Sequence, residues 1–189
     1  MSKDRAAPSQ GTRSLLDSDV VSTVTPAPED VQRLADETER RVARMRCAPR
    51  DVSSRLSGCP EDVLTRRPAP DAWSITEIVC HLRDVEEFYL TRVRFILANC
   101  DPVLIAFSPD RWAAERQYRR CVWRPALAAF VARREETLSV LATLGEDAWE
   151  RGGTHSLRGW MTVRRIVHGW AKHDTEHTDQ VDRALDGRP

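Results

Sequence analysis

The chain has 189 residues and a mass of 21.5 kDa, with 29 lysines plus arginines balanced by 29 aspartates plus glutamates. That length supports one domain with a real hydrophobic core, with or without a tail. Zero net charge excludes global steering toward nucleic acid or an anionic membrane, and no run approaches the roughly eighteen apolar residues that cross a bilayer.

Nearly all the basic residues are arginine, and with the abundant alanine and proline this reads as GC-rich coding. The cysteines are Cys47, Cys59, Cys80, Cys100 and Cys121, an odd number without a CxxC pair. That is not a disulfide-stapled secreted pattern, and "MSKDRAAPSQGTR" lacks a hydrophobic signal core. A reduced, cytoplasmic setting is the expectation.

Residues 1–27 are rich in Ser, Thr and Pro and read as a flexible tail, leaving 28–189 as the folded domain. A first helix is expected from Pro28 to about Cys47, with Val31, Leu34, Thr38, Val42 and Met45 at helical spacing and Pro49 marking its end. Four prolines between positions 49 and 70 predict turns around a short helix at 60–67. In "DAWSITEIVCHL", Ser74 precedes Glu77 by three, the spacing of a capping box, so a second long helix should run from there to about Asn99. An irregular stretch follows, with a short helix around 112–118. The third long helix is expected from about Trp123, with Pro125 in its first turn and Gly145 as a left-handed cap. Residues 146–161 read as a connection. The last helix starts near Thr162 and reaches Leu185. Four amphipathic helices and no strong strand pattern predict an all-α four-helix bundle with long irregular connections.

On the last helix the apolar stripe is Val163, Ile166, Val167, Trp170, Val181 and Leu185. His173 and His177 fall between Trp170 and Val181 at steps of three and four, so both share the inward face. His168 is turned away from them, and His155 lies in the glycine-rich connection. On the second long helix, Ile78, His81, Val85 and Phe88 follow a 3-4-3 spacing, which turns His81 inward too. Three inward histidines on two helices fit a divalent-metal site with an open coordination position. Zinc and nickel head the candidates, followed by iron, cobalt and manganese. The same residues also fit a hydrogen-bonded polar layer in the core, which needs every ring nitrogen satisfied. Glu77, Asp84, Asp174 and Glu176 are candidates to orient an imidazole, or ordinary polar residues. "HDTEH" matches H-x-x-E-H, but only twelve residues follow His177 to supply the further ligand a zinc peptidase needs. Cys80 is about 100° from His81 and reads as a buried structural thiol.

Two segments carry a resemblance. "WSITEIVCHLRDVEEFY" holds Trp73, His81, Asp84 and Glu87, and "MTVRRIVHGWAKHDTEHTDQV" holds the paired histidines and then Gln180. In this order and separation they resemble the DinB-like superfamily, the DinB/YfiT-like metalloenzymes, over about residues 28–185. The resemblance implies a four-helix bundle of unusual connectivity. It implies a divalent metal among His81, His173 and His177, with Gln180 supporting a ligand. It also implies a metal-dependent transferase or hydrolase that uses a low-molecular-weight thiol such as mycothiol. The cofactor contacts expected of such an enzyme are Trp112, Arg116 and Tyr118. Trp73 and Trp160 read as staples packing on the bundle. The alternative function is a non-catalytic, metal-stabilised small-ligand-binding or stress-response protein. A small-molecule substrate is the expected partner, a homodimer is compatible with the bundle, and neither nucleic acid nor membrane is expected.

Overall fold

The computed structural model describes residues 27–189. The expected N-terminal tail lies, but for Ala27, outside the described residues. Four long helices form the bundle: α1 (Pro28–Leu56), α3 (Ile75–Ala98), α5 (Trp123–Leu141) and α7 (Val163–Leu185). Short helices α2 (Glu61–Thr65), α4 (Pro109–Glu115) and α6 (Glu146–Glu150) lie in the connections, and a 3-10 turn covers Tyr118–Arg120. Among the described residues, no helix is long and apolar enough to cross a membrane.

Around the bundle the order is α1, α7, α3, α5, so α1 and α3 lie on a diagonal and the last helix fills the space between them. This seats α7 beside α3. Its Trp170 packs on Tyr89 while its His177 packs on His81, so the two helices run antiparallel.

Three expectations need correction. Pro49 does not end α1; it is buried inside a helix that continues to Leu56. A proline costs its helix the bond to the carbonyl four residues back. Here Arg134 Nη1 on α5 donates to that carbonyl, Met45 O, at 2.5 Å. Gly145 is not a left-handed cap: α5 ends at Leu141, and Gly145, at φ −78°, precedes α6. The 146–161 connection holds a hairpin, β2 (Gly152–His155) with β3 (Gly159–Thr162), and β1 (Val103–Leu104) joins β2 in parallel. Strands of two to four residues are too short to show a periodicity. Gly153 is required there, because a Cβ would meet Pro102 O at 2.5 Å.

Two apolar clusters make the core. Val52, Leu56, Ile75, Ile78, Phe130 and Val181 belong to one. Met45, Val93, Ile96, Leu141, Ile166 and Trp170 belong to the other. On α3, α5 and α7 the polar residues Glu86, Arg134, His173 and Asp174 fall between the two sets, and His81 lies beside the first.

Candidate metal centre

Local rules set the position of each histidine. Ser74 Oγ accepts from Glu77 N at 3.3 Å, and Glu77 Oε2 accepts from Ser74 N at 2.9 Å, closing the expected capping box. Helix α3 therefore begins at Ile75 and carries His81 onto its inward face. Burial by itself would raise the pKa of Glu77, but the Arg67 fork and the Ser74 amide outweigh it and hold the carboxyl below its usual 4.5. Thr162 Oγ1 accepts from Arg165 N at 3.1 Å and starts α7 as expected.

The structure brings His81, His173 and His177 together: one ring nitrogen of each lies within 4.8 Å of the other two. His81 Nε2 and His173 Nε2 are 3.0 Å apart. Two nitrogens bound to one ion at 2.0–2.1 Å sit about 3.0 Å apart at a right angle and about 3.3 Å apart in a tetrahedron. Burial, helped by neighbouring His177, pushes His81 down to about 3. Burial also holds His173 well below its usual value, and lowers His177 against the pull of Gln180. All three rings are then neutral near pH 7, the form that ligates a metal.

His177 Nδ1 lies 2.6 Å from Gln180 Oε1. An amide oxygen only accepts, so Nδ1 carries the proton and Nε2 keeps its lone pair. Gln180 thus fixes the tautomer that a ligand histidine needs. By contrast, Nδ1 of His81 and Nδ1 of His173 are buried without a partner among the described residues. A satisfied polar layer would leave neither orphaned; what fits a cation is the convergence itself, with two Nε2 atoms 3.0 Å apart and a third ring nitrogen within 4.8 Å of both.

Trp73 is more than a staple at the helix start. Its ring lies 4.9 Å from His81 and stacks on His177 at 6.4 Å and 11°. Asp84 does not orient an imidazole. It is gripped by Arg83, accepts from Tyr118 Oη at 2.8 Å and pairs with Arg116 at 3.0 Å. Of the expected cofactor contacts, Tyr118 is therefore fully buried, exposed Arg116 bonds Asp84 and stacks on Trp112, and Trp112 packs on Phe88 and Phe107. Cys80 is buried, with burial pushing its thiol up to about 12. His168 bonds Thr38 Oγ1, and Glu176 pairs with Lys172 on the surface.

Sequence reasoning missed the charged layer behind the histidines. Buried Arg134 reaches both oxygens of Glu86 (2.8 and 2.6 Å) and both of Asp174 (2.7 and 3.1 Å). With Met45 O, it ties α5 to the other three long helices. The signal was present: Arg134 stands four residues after Phe130 and seven before Leu141, a core position on a helix.

Comparison with known proteins gives concordant matches. A family model described as the DinB superfamily matches residues 44–181, well over half the chain. A Geobacillus kaustophilus protein named "Putative metal-dependent hydrolase" is 22% identical over 156 residues, 82% of this chain and 86% of its own. An Oceanobacillus iheyensis protein of the same name is 22% identical over 125 residues, 66% of this chain and 72% of its own. Among solved structures, Bacillus subtilis YfiT superposes with a TM-score of 0.71 at 14% identity, covering 85% of this chain and 89% of its own. It is described as "a probable metal-dependent hydrolase with an unusual four-helix bundle topology".

Proposed function

The chain belongs to the DinB superfamily, and from that premise we propose that it is a divalent-metal-dependent protein whose ion is held by His81, His173 and His177. One observation carries this reading: three neutral imidazoles from two helices converge within 4.8 Å, one of them set in its ligating tautomer by Gln180. The names of the two curated relatives support it.

Three protein ligands leave coordination positions for a small molecule, and an ion there acts as a Lewis acid that lowers the pKa of a bound water or thiol. The finer reading is a hydrolase or a low-molecular-weight-thiol transferase, with mycothiol-like thiols as candidate co-substrates. In that reading Trp73 covers one side of the histidines and limits water. The half-buried Trp112 and exposed Arg116, stacked on each other, offer an aromatic face and a guanidinium to a ligand. Tyr118 acts at one remove, by donating to Asp84 and so fixing the carboxylate that Arg116 pairs with.

The test is metal content by inductively coupled plasma mass spectrometry. Untagged wild-type protein and a His173→Ala/His177→Ala variant are compared after purification without added metal and after reconstitution with zinc, nickel, iron, cobalt or manganese. About one equivalent in the wild type and none in a folded variant is the expected result. Failure of every metal to bind stoichiometrically overturns the reading. A loaded protein inert toward thiols with electrophiles and toward hydrolysable esters and amides would instead be the metal-stabilised binding protein.

A further inference from the structure

Eleven residues beyond His81 on the same helix, Arg92 is 8% exposed, yet no carboxylate pairs with it among the described residues. Its Nη2 donates to Ile105 O and lies 3.3 Å from His155 Nε2. Its Nε is buried with no partner among the described residues. A guanidinium so far from water normally has a counter-charge, because taking a charge out of water without compensation is strongly unfavourable.

His155 deepens the imbalance. Leu157 N donates to His155 Nδ1 at 3.1 Å, so Nδ1 holds the lone pair and the neutral ring carries its proton on Nε2. That N–H faces the Arg92 Nη2 donor, so two donors meet with no acceptor between them. Arg158, on the hairpin turn, adds positive charge close enough to act on Arg92, His155 and Tyr89. The spot is donor-rich and acceptor-poor.

The missing acceptor has a recognisable shape. Arg55, Arg67, Arg83 and Arg134 each turn the Nε and Nη2 edge to the two oxygens of one carboxylate: Asp182, Glu77, Asp84 and Glu86 respectively. Arg92 has the same edge, with Nε free and a second hydrogen on Nη2. Two parallel N–H bonds match a carboxylate fork.

Position relates this edge to the histidines. The Arg92 guanidinium folds back to 4.0 Å from the Phe88 ring centroid. Phe88 is seven residues past His81, about 10 Å along the helix. Tyr89 bridges the interval, with its ring 6.3 Å from His173 and 5.9 Å from the Arg92 guanidinium. Phe88, Phe107 and Trp112 pack on one another beside it.

We propose that Arg92, with His155 Nε2–H and Arg158, forms a carboxylate subsite for a small-molecule ligand whose reacting end lies at the histidine centre about 10 Å away. The link to the histidines rests on the proposed function; the subsite itself does not. A carboxylate entering there supplies the acceptor that both facing donors lack. The ligand class is a carboxylate-bearing small molecule of about three peptide units in reach, a thiol among them.

The probe is the thiol tripeptide glutathione, titrated calorimetrically beside its uncharged-carboxyl diethyl ester, into metal-free and cobalt-loaded protein. Wild type, Arg92→Gln and Arg92→Lys are compared, with cobalt content and thermal unfolding measured on the same samples. The expected result is that Arg92→Gln weakens the free acid about tenfold or more and leaves the ester, already weak, unchanged. Arg92→Lys, which keeps the charge and loses the fork, falls between. Equal affinity for acid and ester in the wild type, an equal loss of both in a folded Arg92→Gln variant, or no binding of either form overturns the subsite. Cobalt loading bears only on the metal reading, which the five-metal reconstitution decides, and the acid–ester comparison on metal-free protein decides the subsite whether or not cobalt binds.

Discussion

Arg134 completes a hydrogen bond that Pro49 takes away. The proline removes the N–H that would serve Met45 O in α1, and Arg134 Nη1 serves it from α5 at 2.5 Å. The same guanidinium pairs with both Glu86 and Asp174, so one buried side chain repairs a helix and joins four. Arg134→Met is expected to destabilise the protein by about 3–5 kcal/mol, because two carboxylates are left buried without a partner. Adding Pro49→Ala to that variant restores the missing N–H and recovers about 1 kcal/mol. Urea unfolding of the double-mutant cycle measures this. An identical effect of Pro49→Ala with and without Arg134 would show the two residues to be uncoupled.

Gln180 holds the proton of His177 on Nδ1. Gln180→Leu should therefore weaken metal binding about 10- to 100-fold while leaving the fold intact. Competition with a chromogenic chelator reads the affinity. Unchanged affinity would mean that the tautomer is set without Gln180.

Trp73 lies against two of the three histidines, with ring centroids 4.9 and 6.4 Å away. Loading with cobalt or nickel should quench tryptophan fluorescence, and Trp73→Phe should remove the largest single share of that quenching. Retention of the full quench in the variant would put the ion elsewhere.

Glu77 gives a pH-dependent prediction with a definite sign. Its folded pKa is lowered below 4.5. The stability it contributes is present above its unfolded pKa and is lost as pH falls through the lower, folded value. Glu77→Gln should cost about 1–3 kcal/mol at pH 7, and the gap to wild type should close progressively below about pH 4.5. Denaturant melts between pH 7 and pH 3 test this; a gap that does not vary with pH refutes the ionic contribution.

Thiol reactivity should rank by burial. Cys47 and Cys100 are exposed, whereas Cys80 is buried with its thiol pushed up to about 12. A disulfide reagent at pH 8 should titrate the first two quickly and reach Cys80 only on unfolding. Fast modification of Cys80, located by peptide mass mapping, would contradict the buried assignment.

The sequence by itself determined what depends on neighbours along the chain. Ser74 and Glu77 mark the start of α3, Thr162 the start of α7, and spacings of three and four turn His81, His173 and His177 inward. These follow from helix geometry and capping, which act within a turn or two. Only the tertiary structure decided which helices touch. The diagonal placement of α1 and α3 leaves α7 beside α3 and closes the histidine cluster. Pro49 reads as a helix stop because its lost bond is local, while Arg134, which replaces it, is 85 residues away. Arg92 likewise reads as one surface arginine among many until the connection after α3 and the hairpin before α7 close over it. Periodicity shows where a side chain points; whether a charge there meets a partner depends on what other segments bring to it.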